Sequence, residues 1–254
     1  MTTTVVTTHA AGVTTLRLDR PSKKNALDGA TYRALTDGVR AAGEDPAVRA
    51  IVITGSPEVF TSGNDLGDFA RIRAGSGDLA AMDFLRALIA CPKPLVAAVA
   101  GWAVGIGTTL LLHCDFVYAA PSARFRTPFV DLGLCPEAAS TVLLPAIIGP
   151  RHAAEMLILG VTVDAPTALA WGLVNEVVDD PLARATEIAA TIARRAPGAT
   201  RTTRALLRRV TAADVDAAMA AEQVAFGERL LSAEAVEAAT AMMTKRTPDF
   251  AKFT

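Results

Sequence analysis

Hydrophobic and polar positions change their period along this chain and divide it into a strand-and-helix part and a helical part. Residues 13–18 alternate apolar and polar types and are rich in β-branched residues, which predicts a half-buried strand. Residues 28–42 carry apolar positions at helical spacing. Arg49-Ala50-Ile51-Val52-Ile53-Thr54 and Leu95-Val96-Ala97-Ala98-Val99-Ala100 are nearly continuous apolar runs, each stopped by a glycine. Runs without alternation predict strands covered on both faces of one sheet. A helix over 78–90, ended by Pro92 and Pro94, gives the interval a βαβ rhythm. The pattern continues as a helix over about 105–113, strands near 115–119 and 123–127, and short helices over 137–147, 150–159 and 166–171. Beyond Pro181 the segments 182–194, 199–210, 213–231 and 233–245 are rich in Ala, Leu, Arg and Glu, which favour helix. The expected organisation is an α/β core over 1–195 and a helical C-terminal region over 196–254, suited to packing on a neighbouring subunit.

At 254 residues and 51% hydrophobic composition, the chain buries a full core with no need of disulfide or metal. Its 25 Lys and Arg nearly cancel 26 Asp and Glu, so net charge gives no argument for a nucleic-acid or membrane-surface partner. Cys91, Cys114 and Cys135 have no CxxC spacing, and the N-terminus lacks the order of a signal peptide. No apolar run reaches spanning length unbroken. A reducing cytoplasm is the expected location.

Two glycine loops follow strand-like runs: Phe60-Thr61-Ser62-Gly63-Asn64-Asp65-Leu66 and Gly101-Trp102-Ala103-Val104-Gly105-Ile106-Gly107. Glycine turns bring peptide N–H groups close to a ligand, which is how a developing oxyanion is held without a charged side chain. A third loop, Gly133-Leu134-Cys135-Pro136-Glu137, offers one carboxylate in apolar surroundings. An acid beside amide donors suits removal of a proton α to a thioester carbonyl.

With these motifs and Asp19-Arg20-Pro21-Ser22-Lys23-Lys24-Asn25-Ala26-Leu27, the chain resembles the crotonase superfamily, the acyl-CoA hydratases and isomerases, over essentially its whole length. The resemblance implies a crotonase (ClpP-like) α/β spiral of ββα units acting on acyl-CoA thioesters, with no cofactor beyond the coenzyme A of the substrate and no metal. It implies a homotrimer or dimer of trimers. The oxyanion amides map onto Asn64 and Ile106, and the substrate wall onto Lys24, Ser62, Gly63, Asn64, Asp65, Leu66, Gly105 and Phe129. Where the hydratases of the family carry two glutamates, this chain has Thr109 and Phe129, which exchange no proton with water at neutral pH. The stretch from Thr127-Pro128 to Pro136-Glu137 instead resembles the peroxisomal-type Δ3,Δ2-enoyl-CoA isomerases, whose single base maps onto Glu137. Phe129, Leu134 and Cys135 are expected to desolvate Glu137 and raise its pKa. Other readings stay open: a hydratase, a hydrolase or a dehalogenase branch with a nucleophilic carboxylate, or a non-catalytic acyl-CoA binder.

Each residue also has a plainer role. The glycines suit ordinary turns, and Pro136-Glu137 suits the opening of a helix. Asp65 suits a helix cap, and Asp131, a second candidate for the acid or base, suits a solvated or salt-bridged loop position. His9, His113 and His152 lack a nucleophile partner in sequence. Lys23 and Lys24 suit either phosphate contact or solvent. Arg201, Arg204, Arg208 and Arg209 lie at helical spacing and suit contact with CoA or an adjacent subunit, or an exposed charged helix face. Acyl length is expected to depend on the segment around Phe69, Ile72 and Gly75-Ser76-Gly77.

Overall fold

Two mostly parallel sheets are laid down in step along the chain, which the computed structural model describes over residues 4–65, 67–68, 71 and 80–253. The order begins β1 (Val5–Ala10), β2 (Val13–Leu18), α1 (Gly29–Glu44), β3 (Ala50–Thr54), β4 (Val59–Thr61) and α2 (Ala80–Ala90). It continues β5 (Leu95–Val99), β6 (Trp102–Val104), α3 (Ile106–Thr109), β7 (Phe116–Ala119), β8 (Arg124–Arg126), α4 (Ser140–Ile148) and α5 (Pro150–Leu157). It ends β9 (Val163–Asp164), α6 (Ala165–Trp171), β10 (Glu176–Val177), α7 (Pro181–Ala193), α8 (Pro197–Arg209), α9 (Ala212–Leu230) and α10 (Ala233–Met243).

The first sheet has the order β1-β2-β3-β5-β7-β10, parallel except for the β1–β2 hairpin. The second has the order β4-β6-β8-β9, parallel except for β8–β9. Each pass of the chain therefore places one strand in each sheet, β3 then β4, β5 then β6, β7 then β8. This is the α/β spiral of ββα units that the resemblance implied.

Period-two side-chain geometry explains the continuous apolar runs. In β3, Ile51 and Ile53 join the large core with α1 and α2, while Ala50 and Val52 face Ala185 and Ala189 of α7. In β5, Leu95, Ala97 and Val99 share the first side, and Val96 and Ala98 the second. Asp28 starts α1 by accepting the Thr31 N–H at 2.8 Å, a cap worth about 1 kcal/mol. Val215, Ala218, Met219 and Leu230 of α9 enter the same large core, so α9 packs on the chain's own core.

β1, β9 and β10, and the three-residue β4 and β6 inside the glycine loops, extend the expected strand list. The expected helix over 105–113 is four residues of α3 followed by a 3₁₀ turn, Leu110–His113. The expected helix over 137–147 starts only at Ser140, because Ala138 and Ala139 are left-handed at φ +63° and +54°. Residues 78–79 of the helix expected over 78–90 lie outside the described residues. Among the described residues no helix is long and apolar enough to cross a membrane.

Candidate active site

Because β4, β6 and β8 run parallel, their C-terminal ends stand side by side and the loops leaving them meet. The Gly105 N–H donates to Arg126 O at 2.8 Å, joining the second loop to the end of β8. Gly63 has φ +88°, and a Cβ there would stand 2.7 Å from Val104 O, so the two glycine loops touch only because position 63 has no side chain. On its other side the first loop is zipped to 24–27. The Ser62 N–H donates to Lys24 O at 3.0 Å, the Leu27 N–H to Gly63 O at 2.8 Å and the Asp65 N–H to Leu27 O at 2.9 Å. Arg20 holds Asp65 at 2.9 Å, and Asp65 caps the next turn through the Gly67 N–H at 3.0 Å. Burial works to raise the Asp65 carboxyl, but Arg20 and that N–H outweigh it and hold it below the usual range.

This pattern leaves the Asn64 and Ile106 N–H groups without an acceptor among the described residues. Their loops border a cavity of about 600 Å³ lined by Ser62, Gly63, Asn64, Asp65, Gly105 and Phe129, with Lys23, Met242 and Arg246 on other sides. A second, mostly apolar cavity of about 350 Å³ is lined by Leu27, Tyr32, Leu85, Glu137, Met219, Glu222 and Phe226. Asn64 and Phe226 line both, so the two spaces adjoin at the first glycine loop.

Glu137 stands on the wall of the second cavity, and its Oε1 accepts the Thr109 hydroxyl from α3. Burial pushes its carboxyl up to about 7; the Thr109 hydrogen bond opposes this and the charge of Glu222 adds to it. The loop behind it is fastened at two points. His113, buried and pushed down to about 4 chiefly by burial, stays neutral and donates its Nε2–H to Ala138 O at 2.9 Å. Glu222 accepts the Ala139 N–H at 2.6 Å and the Thr141 N–H at 2.9 Å. The buried Tyr32 hydroxyl donates to Asn64 Oδ1, and burial followed by the charge of Glu137 raises its pKa well above the ordinary value.

The structure gathers Ser62, Gly63, Asn64, Asp65, Gly105 and Phe129 around one cavity and Glu137 around the next. The Ile106 side chain is in the core, leaving only its N–H at the turn. Lys23 lines the larger cavity, while Lys24 is exposed in a left-handed turn beside it. Leu66, Phe69, Ile72 and 75–77 lie outside the described residues. Glu137 does not open a helix, so that plainer reading of Pro136-Glu137 falls. Phe129 and Leu134 face the larger cavity; the apolar lining on Glu137's side comes from residues such as Tyr32, Met219 and Phe226. The expected charged face of α8 is corrected at Arg204, which is buried and paired with Asp115 at 2.7 Å. Asp131 pairs with Arg126 at 2.9 Å, and His152 stacks on Trp171. Among the described residues no three His, Cys, Asp or Glu side chains gather as a metal would require.

Sequence reasoning missed Tyr32 and Glu222, and took Thr109 only as a missing acid. Tyr32 lies on the buried face of α1 with Leu35 and Val39 and gives no signal beyond that stripe. Glu222 does give one: it continues the buried stripe Val215, Ala218, Met219, where a charged residue is out of place without a partner.

A family model described as Enoyl-CoA hydratase/isomerase matches residues 8–252. Enoyl-CoA delta isomerase 2 of Homo sapiens is 41% identical over 184 residues, covering 70% of this chain and 46% of its own. The 2,3-dehydroadipyl-CoA hydratase of Escherichia coli (strain K12) is 35% identical over 239 residues, covering 92% of this chain and 93% of its own. The chain spans 46% to 64% of the length of the delta isomerases it matches. The crystal structure of an enoyl-CoA hydratase/isomerase from Pseudoalteromonas atlantica T6c has a TM-score of 0.93 at 41% identity, covering 98% of this chain and 100% of that one.

Proposed function

We propose a reaction for a chain that belongs to the enoyl-CoA hydratase/isomerase family and is thereby an acyl-CoA enzyme of the crotonase type: the shift of a 3-enoyl-CoA double bond to position 2. The observation that carries this reading is the isolation of Glu137 among the carboxylates of the two cavities. Asp65 and Asp131 are bound to arginines, Asp68 accepts the Gly29 N–H, and Glu222 accepts peptide N–H groups. Among the described residues Glu137 accepts only the Thr109 hydroxyl, and it titrates at about 7, where a carboxylate both takes and returns a proton.

In this mechanism the thioester lies against the glycine loops and the acyl tail enters the smaller cavity. The Glu137 carboxylate takes a proton from C2, and the electron pair delocalises over C2, C3, C4 and the thioester oxygen as a dienolate. The Asn64 and Ile106 N–H groups hold the oxyanion, each donor worth roughly 3–4 kcal/mol in the transition state. The same carboxyl, now protonated, returns that proton at C4, leaving a 2-enoyl thioester and restoring the carboxylate. No water is consumed, and the apolar lining of the second cavity favours its exclusion.

Conversion of 3-hexenoyl-CoA and hydration of crotonyl-CoA are measured on the wild type and Glu137→Gln. The expected result is a 2-enoyl product from the wild type, little hydration, and a loss of about 10²- to 10⁴-fold in the variant. The hydratase reading draws on the comparable identity of the Escherichia coli relative, and rapid hydration by the wild type would establish it instead. An unaffected variant would remove Glu137 from the mechanism.

A further inference from the structure

Residues 138–139, directly after the proposed base, adopt the left-handed region at two successive alanines. L-residues occupy that region at a cost, so something must hold the turn. No local side chain does so: Ala139 caps α4 without a side-chain acceptor. The acceptor comes from α9. Glu222, 6% exposed, takes the Ala139 N–H on Oε2 at 2.6 Å, and takes both the Thr141 N–H at 2.9 Å and the Thr141 hydroxyl at 2.5 Å on Oε1. It thereby satisfies donors on both sides of residue 140 that the start of α4 leaves open. The same carboxylate lines the acyl cavity with Glu137.

We infer that Glu222 is a positioning residue for the reaction: its carboxylate clamps the left-handed turn after Glu137 and so fixes where the catalytic carboxyl stands. The inference rests on Glu137 being the acid and base. A cap supplied by a distant helix, on the wall of the same cavity, links the C-terminal helices to the chemistry and does more than start α4. Among the described residues the groups whose charge or hydrogen bond reaches Glu137 are Tyr32 from α1, Thr109 from α3, Glu222 from α9 and Cys135 from its own loop. Of these, Glu222 supplies the charge that favours the protonated form of Glu137.

Three variants test this: Glu222→Gln, Thr141→Val, and Glu222→Gln combined with Ala139→Gly, each assayed on 3-hexenoyl-CoA across pH with circular dichroism to report folding. Glu222→Gln is expected to lower kcat by up to about 10²-fold, the cost of misplacing a catalytic group, with KM nearly unchanged. The acid limb of its pH profile moves to lower pH, because a negative neighbour is lost. Glycine at 139 restores part of kcat and leaves the limb displaced. Thr141→Val, which keeps the carboxylate and its peptide bonds, shows a smaller fall in kcat. Wild-type kcat and pH profile in folded Glu222→Gln, or wild-type kcat in Thr141→Val if Glu222→Gln does not fold, overturns the inference. Failure of the underlying reading is separate: it shows as activity retained by Glu137→Gln.

Discussion

Thr109 illustrates how one hydroxyl tunes the pKa of a buried carboxylate. Burial raises Glu137, and the Thr109 bond, made to the ionised form, draws it back to about 7. Removing the hydroxyl in Thr109→Val takes away the lowering contribution alone. The acid limb of kcat/KM, set by ionisation of the base in free enzyme, is then expected to move above the wild-type position. A pH series with 3-hexenoyl-CoA reads this directly, and an unmoved limb would mean that the hydroxyl does not touch the reactive carboxylate in solution. The same residue shows which parts of the site sequence could reveal. The glycine loops and Pro136-Glu137 are contiguous backbone devices and can be recognised in a string of letters. Thr109 meets Glu137 across 28 positions, Tyr32 meets Asn64 across 32, and Glu222 meets Thr141 across 81. Those partnerships exist only after the spiral closes.

At the scale of elements, the site is a consequence of parallel register between β4 and β6. Their ends can sit adjacent only if one loop lets the other's backbone pass, which separates the roles of the two glycines. Gly105, at φ +55° and ψ −119°, has open space around an added Cβ, so Gly105→Ala carries a conformational cost of about 1–3 kcal/mol and no clash. Gly63→Ala adds a collision with Val104 O to a positive φ and must part the loops. Thermal melts and kcat/KM on both variants are expected to show lost activity in each, with Gly63→Ala the more destabilised. Equal stability would place the strain elsewhere. The strands that hold these loops illustrate a second limit of sequence. β3 and β5 are five residues each, buried on both faces, and their apolar runs announce them. β4 and β6 have three residues each, too few for a period to show, so a second sheet stayed hidden inside what read as loops.

Among the described residues, the buried His113 and Glu137 titrate in opposite senses within the acid range, and their balance shapes the molecule's stability towards acid. The His113 pKa lies at about 4 in the fold against an ordinary 6.5, so between those values the unfolded chain binds a proton that the native one does not. Stability from this group is complete above 6.5 and is lost as pH falls towards 4, at up to about 1.4 kcal/mol per pH unit. Glu137 works the other way: its pKa is about 7 in the fold against 4.5, so the native state holds the extra proton between those values and loses stability as pH rises through 7. From 6.5 down to 4.5 the two slopes offset each other. Asp28, held by the Thr31 hydroxyl and N–H and by Arg20, and Asp65, held by Arg20 and the Gly67 N–H, have partners that outweigh their burial; both resist protonation until lower pH and bring on acid unfolding there. Glu137→Gln removes one side of the balance. Its melting temperature is expected to fall steadily from pH 6.5 to 4.5, while that of the wild type stays nearly level over the same interval. Parallel curves for the two proteins would mean that at least one of these groups titrates near its ordinary value, and a matching series on His113→Gln would identify which.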